Sequence, residues 1–389
     1  MDDVKKIFSK LIIIFFVIFM PFLIFCQIRP TLQDKIEGLL IGSAIGDAAG
    51  GPLEFVKPPL RSYWTTTKKT ITEKGIAALA DSFKLRSYPK NAEPFAQWEP
   101  FAAAGTITDD TRFKIILFNT LKNYHGKLDR ENFAEEVLNF GNRIPGKYKP
   151  WFDKWIIEIA YATRWVLGER ENAYPPQRIW GGIPTMAGQM PFLPVAALYS
   201  HNARNAYLKT WELDYLDTGF AKDMTAALVA GMVGALQQNS DWSVVEKYMR
   251  ETDPYNFNHI LYVPRRLNEW LAMSHEFVKR ADGNITALFR ILESELQAKT
   301  WWEAWVPIVV VFSCAEIVKY DPLASMQLMI EFGHDTDSYA QLMGAIIGAI
   351  YGKQVFPVEM QNTVNKQMKK QFGQDINDWL KTIKTFNNY

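Results

Sequence analysis

Cysteine is nearly absent from this 389-residue chain, which has two, Cys26 and Cys314. Cys26 falls in an N-terminal stretch that reads as a removable leader, and the single thiol left cannot close an internal disulfide. Stability therefore has to come from packing. Cys314 sits in the apolar run Val309-Val310-Val311-Phe312-Ser313-Cys314-Ala315, with no His at a catalytic spacing, which is the setting of a small core residue. Charge of one sign is missing too. The 43 Lys and Arg against 42 Asp and Glu leave a net charge of +1, and the charges are mixed along the chain, so nothing offers an electrostatic footprint to nucleic acid or to an anionic membrane. An anionic ligand must then be met by local groups. Alternating strand-like runs are scarce and no internal repeat is visible.

Residues 1–27 stand apart. Lys5, Lys6 and Lys10 precede an apolar stretch from Leu11 to Phe25 that contains Pro21 and is followed by Gln27, Arg29 and Pro30. The stretch is shorter than the about 20 residues a bilayer requires, so it reads as a secretory signal peptide cleaved near Cys26. Export to a periplasmic or extracellular space is the expectation. Retention as a membrane anchor, or lipid attachment at Cys26, is the alternative, although the bulky Phe25 suits a lipoprotein signal poorly. Residues 28–389 form the remaining domain, and with 48% hydrophobic and 14% aromatic residues in the chain a sizeable core is expected.

Helical periodicity dominates from Asp34 onward. The pattern predicts helices over 34–49, 111–124, 130–139, 151–167, 225–237, 244–250, 263–278, 285–298, 305–318, 324–332 and 338–351, hence an all-α fold. Two nearly all-apolar stretches, 225–236 and 338–351, are expected to form its centre, with Gly231, Gly234, Gly344 and Gly348 allowing them to approach closely. Both are too short to cross a membrane. Residues 56–104 carry Pro58, Pro59, Pro89, Pro94 and Pro100 among Tyr63, Trp64, Phe83, Tyr88, Phe95 and Trp98 and are read as a non-helical, packed cover over a site. A second non-helical stretch, 174–194, is expected to line the same pocket.

Two short acidic clusters lie more than two hundred residues apart: Thr108-Asp109-Asp110-Thr111 and Asp335-Thr336-Asp337-Ser338. Each follows a glycine, Gly105 or Gly333, and precedes an apolar helical run. Thr and Asp are ordinary helix N-cap and first-turn residues, so either cluster alone reads as a cap. The repeated grammar points further. Magnesium and manganese prefer six oxygen ligands, and paired ions about 3.5–4 Å apart need carboxylates able to bridge them. Four aspartates outweigh the helix dipole, which by itself disfavours a cation at an N-terminus.

A third segment, Gly38-Leu39-Leu40-Ile41-Gly42-Ser43-Ala44-Ile45-Gly46-Asp47-Ala48-Ala49-Gly50-Gly51-Pro52-Leu53-Glu54-Phe55, resembles the opening motif of the ADP-ribosylglycohydrolase family, whose relatives include the activating glycohydrolase of nitrogenase reductase. Gly105-Thr106-Ile107-Thr108-Asp109-Asp110-Thr111 looks like that family's first metal motif and Gly333-His334-Asp335-Thr336-Asp337-Ser338 like its second, with Gly344, Gly348 and Gly352 continuing its small-residue helix. The three motifs span most of residues 28–389.

The resemblance implies an all-α domain with two Mg2+ or Mn2+ ions held by Thr108, Asp109, Asp110, Asp335, Asp337 and Ser338, the last keeping the hydroxyl of the family's usual Thr. Thr111 and Thr336 are expected to support the ligands rather than bind metal, and His334, which replaces a common Gly, is not counted as a ligand. Glu54, by itself a surface residue after a turn, matches a mobile acidic residue at the site entrance; Asp47 is expected near the ribose, with a buried capping role as its alternative; and Asp109 joins them in the catalytic set. The implied activity is hydrolysis of the glycosidic bond of an ADP-ribosylated small molecule or protein, releasing ADP-ribose. Cleavage of such a bond passes through a cation-like ribose. The chain departs from the family where a Gly-Asn-Gly segment and a Met-Arg pair are usual, having Gly181-Gly182-Ile183-Pro184-Thr185-Met186-Ala187-Gly188-Gln189, and where a Thr-His pair is usual, having Asp217 to Asp223. Another ribosyl or nucleoside-like substrate, or a non-catalytic metal- or ligand-binding role, is therefore the alternative. Four crowded carboxylates left without metal would repel one another, which argues against the second of these.

Overall fold

The computed structural model describes residues 29–55, 70–88, 102–143, 149–296 and 300–386. The leader expected over 1–27 lies outside them, as do Pro58, Pro59, Tyr63, Trp64, Pro89, Pro94, Phe95, Trp98 and Pro100 of the expected cover. Contacts divide the chain into Met1–Thr31 and Leu32–Tyr389, and the second unit is described here. Among the described residues it is all-α, without strands; one isolated bridge joins Thr185 to Glu303. The helices in order are α1 (Leu32–Gly50), α2 (Glu73–Ser82), α3 (Asp109–Asn123), α4 (Arg130–Asn142), α5 (Lys149–Val166) and the short α6 (Gln189–Phe192) and α7 (Val195–Leu198). Then come α8 (Ala203–Leu213), α9 (Phe220–Leu236), α10 (Trp242–Glu251), α11 (Leu267–Ala281) and α12 (Ile285–Glu295). The last are α13 (Val306–Ile317), α14 (Pro322–Phe332), α15 (Thr336–Tyr351), α16 (Val358–Phe372) and α17 (Ile376–Phe386).

The centre differs from the expected pair. From Gly38 to Gly50 every residue of α1 is buried, and so is every residue of α15 from Thr336 to Ile350, because neither helix has a polar face to turn outward. They lie backbone to backbone. A methyl group on Gly42 would overlap the carbonyl of Gly344, one on Gly348 that of Gly38, and one on Gly46 that of Ala340. Gly344 and Gly348 thus serve contact with α1, not with α9. Gly231 and Gly234 of α9 instead face Met249, Val245 and Tyr248 of α10. The physical reason is register: α1 repeats glycine every fourth residue, which puts a flat stripe opposite the matching stripe of α15.

Cys314 is buried in α13, whose residues face the core on nearly all sides. The expected cover contains a helix, α2, capped by Thr72, whose hydroxyl accepts from Gly75 N at 3.2 Å, with Ile76 and Leu79 turned into the core. Farther along that segment Tyr88 is buried beneath Gly51. No helix among the described residues is long and apolar enough to cross a membrane.

Candidate metal centre

Three helix ends meet at one point. Thr108 caps α3, its hydroxyl accepting from Asp110 N at 3.3 Å, so that Asp109 and Asp110 stand in the first turn. Asp335 is the cap position of α15, and Asp337 and Ser338 follow in its first turn. Gly105 and Gly333 hold φ of +85° and +87°, the sharp turns that let each pair of side chains converge. The third end is that of α1, where the turn Gly51–Leu53 brings Glu54 back over α15. It is fixed there by Thr336 Oγ1 donating to Gly50 O at 2.9 Å and by Phe55 N donating to His334 O at 2.8 Å.

The result is a carboxylate cluster in which Glu54, Asp335 and Asp337 form one group of ligand atoms within 4.8 Å of one another, and Asp109, Asp110 and Asp337 form a second. Asp337 belongs to both. Ser338 Oγ donates to Asp110 Oδ2 at 3.1 Å, tying the two motifs directly. Beneath them Lys114 Nζ donates to Asp110 O at 2.9 Å and to Gln341 Oε1 at 2.5 Å, and Ser43 Oγ donates to the same amide oxygen at 3.2 Å.

Electrostatics makes the cluster uncomfortable by itself. Burial, followed by the neighbouring carboxylates, pushes Glu54, Asp110 and Asp337 well above the usual carboxylate range. Burial raises Asp109 to about 6 against the pull of Arg112, and Asp335 to about 7 with the help of Asp110. Burial likewise lowers Lys114 to about 8 and Arg112 to about 10 although acids surround both. Asp110 Oδ1 is buried with no hydrogen-bond partner among the described residues. A crowded, oxygen-only donor set with a shared carboxylate and an orphaned carboxylate oxygen fits divalent cations of the magnesium type.

Asp47 takes the buried capping position that was the alternative to its reading near the ribose. It is fully buried below the cluster, its carboxylate accepting from Thr108 N at 3.0 and 3.2 Å and from Thr111 N at 3.0 Å. It therefore closes the open end of α3. His334 stacks on Trp301, ring centroids 3.7 Å apart, as a shape-giving residue at φ +63°. The chain's own cations at the site, Lys114 and Arg112, escaped sequence reading, although a Lys and an Arg within one turn of two aspartates on an apolar helix are a legible signal.

Above the carboxylates opens a cavity of about 240 Å3 whose other wall is apolar, with Phe55, Trp180, Met186, Met190 and Trp302. The 174–194 stretch supplies much of this wall, as expected, folded as a 3-10 segment and the short α6.

The ADP-ribosylglycohydrolase family model matches residues 28–385. The chain is 21% identical over 323 residues to the uncharacterized protein YegU of Escherichia coli strain K12, covering 82% of this chain and 88% of the relative. A solved structure described as an ADP-ribosylglycohydrolase-related protein complex superposes with a TM-score of 0.55 at 14% identity, over 91% of this chain and 99% of the other. At that identity the likeness speaks for the fold.

Proposed function

The chain belongs to the ADP-ribosylglycohydrolase family, and from that premise we propose that it is a divalent-metal-dependent hydrolase that cuts the glycosidic bond of an ADP-ribosylated substrate and releases ADP-ribose. The observation that carries the reading is the sharing of Asp337 between two three-carboxylate groups on different helix ends. Glu54, Asp335 and Asp337 would hold one ion, and Asp109, Asp110 and Asp337 the other, with the Ser338 and Thr108 hydroxyls beside them. Two such ions, magnesium or manganese, supply Lewis acidity toward water and toward ribose hydroxyls.

The protein's own groups do the rest. Negative carboxylates beside the anomeric carbon favour the positive charge that develops there as the bond breaks. Glu54, at the boundary between the carboxylates and the apolar wall, would pass a proton between water and the leaving atom when its carboxylate is off the ion. Asp47 keeps α3 in place from below. Export, expected from the lysine-flanked apolar run of residues 1–27, is part of the proposal, and fractionation of the expressing cell checks it.

The decisive assay follows free ADP-ribose released from ADP-ribosylated compounds, small-molecule and protein-linked, with added Mg2+ or Mn2+. Release that needs the ion and is lost in Asp335→Ala supports the reading. Saturable ion uptake without turnover on any ribosylated substrate points instead to a binding relative.

A further inference from the structure

The cavity has two chemically different halves, and the carboxylates account for one. The other is built around an aromatic corner: Phe55 and Trp302 meet edge to face, with ring centroids 6.0 Å apart and planes at 82°. Both rings are incompletely covered, at 50% and 40% exposure, which is uncommon for side chains of this size beside a buried site. Trp180, from the 3-10 segment, lines the same cavity.

These rings are held, not loosely parked. Phe55 and Trp180 both adopt positive φ, +50° and +53°, a backbone state that a bulky residue keeps only where its surroundings enforce it and that gathers at functional positions. Phe55 is pinned by its N–H to His334 O, and His334 is itself stacked on Trp301. On the opposite side Met186 N donates to Trp302 O at 3.0 Å and Ala304 N to Pro184 O at 3.0 Å, clipping the Thr185 segment to the Trp302 segment. Thr185 is 3% exposed, faces the cavity, and its hydroxyl has no hydrogen-bond partner among the described residues. The Trp180 indole N–H is likewise unsatisfied. A buried hydroxyl and an indole N–H left unpaired beside exposed ring faces ask for a planar ligand that carries hydrogen-bond acceptors.

We infer that this aromatic corner is the leaving-group subsite of the enzyme and that the group it takes is a flat, uncharged nitrogen heterocycle joined to ribose through nitrogen, not a flexible protein side chain. The inference rests on the hydrolase reading above for its chemistry, because the carboxylates must face the ribose for the corner to face the group attached to it. Water adds to the anomeric carbon, the carbon–nitrogen bond breaks with its electron pair going to the ring nitrogen, and that nitrogen takes up the proton lost by the water. The products are the free sugar and the free base, and no oxidant or reductant is needed. Size agrees: about 240 Å3 is below the roughly 300–1,000 Å3 that encloses a drug-sized ligand, and suits a single ring system next to a ribose.

Two measurements on the full chain test this. In the first, adenine is titrated without divalent ions while indole emission is followed, so that neither metal nor turnover is required. Saturable quenching is expected, weakened about tenfold in Trp302→Ala and in Trp180→Ala but retained in Trp302→Phe, as loss of base stacking dictates. In the second, Mn2+-loaded protein is given ribosyl and ADP-ribosyl compounds whose leaving group is either a heterocycle or an arginine or serine side chain. Heterocycle-linked compounds, with or without the diphosphate, are expected to show at least tenfold higher kcat/KM. Absent quenching, quenching indifferent to Trp302→Ala, or preference for the side-chain compounds overturns the assignment. Quenching that follows the tryptophans while no compound turns over keeps the corner as a heterocycle-binding site but strikes the hydrolase reading and, with it, the leaving-group role.

Discussion

Asp337 is the residue on which both acidic groups depend, and its single carboxylate separates this arrangement from two independent caps. Asp337→Asn is expected to abolish uptake of both ions in calorimetry and to lower turnover roughly a thousandfold, whereas Asp109→Asn should spare the group formed with Glu54. Equal loss in the two variants would mean that the groups do not act separately. The aspartates were legible in the sequence because two distant clusters repeat one grammar, but the sharing was not, since it depends on how α1 and α15 set Glu54 over Asp337. Asp47 shows the opposite case. Its motif left open both a place near the ribose and a buried cap, and only the fold decides for the cap by supplying the backbone N–H groups of Thr108 and Thr111, because side-chain identities do not report where backbone donors point. Trp302 carried no signal at all; it enters the cavity because residues 184–186 clip to 302–304.

At the scale of the helices, α10, α11 and α13 are joined by one imidazole. His275 Nδ1 lies 2.6 Å from Glu316 Oε2 and Nε2 lies 3.0 Å from Glu246 Oε1. Burial would lower the His275 pKa, but the two carboxylate hydrogen bonds outweigh it and raise the group above its ordinary 6.5. A histidine raised in the folded state binds its proton more tightly there. Its contribution is therefore complete below about pH 6.5 and fades as pH rises through the folded pKa. Chemical denaturation at about pH 6 and pH 8 should show wild type losing up to about 1 kcal/mol more than His275→Gln, a small figure because the ring is 38% exposed and screened. No difference between the two proteins would mean that the bridge adds nothing. Long apolar helices were readable from period alone, as were the starts of α3 and α15. Helices missed include α8, α16 and α2: α16 fully buries only Val364 and Met368, and α2 hides inside a proline-rich segment. α17 does carry the helical pattern, burying Ile376, Trp379, Leu380 and Ile383, and was legible by the same rule that found α10 and α14.

For the molecule as a whole, the site is a clasp between segments far apart in sequence, so under the proposed metal binding an ion would be linked to global stability. An ion that binds only the folded chain stabilises it by about 2.7 kcal/mol at a hundred times its dissociation constant. A thermal scan should therefore show Tm rising by several degrees with Mn2+ in wild type and by none in Asp337→Asn. The glycine stripe of α1 and α15 has its own consequence for deuterium exchange. Two helices whose main chains touch leave no layer of side chains that could shift to admit solvent, so amides along that line open only when the entire unit does. The amides of Gly42 and Gly344 should then be among the last to take up deuterium, and this slow-exchanging spine ends directly under the carboxylates.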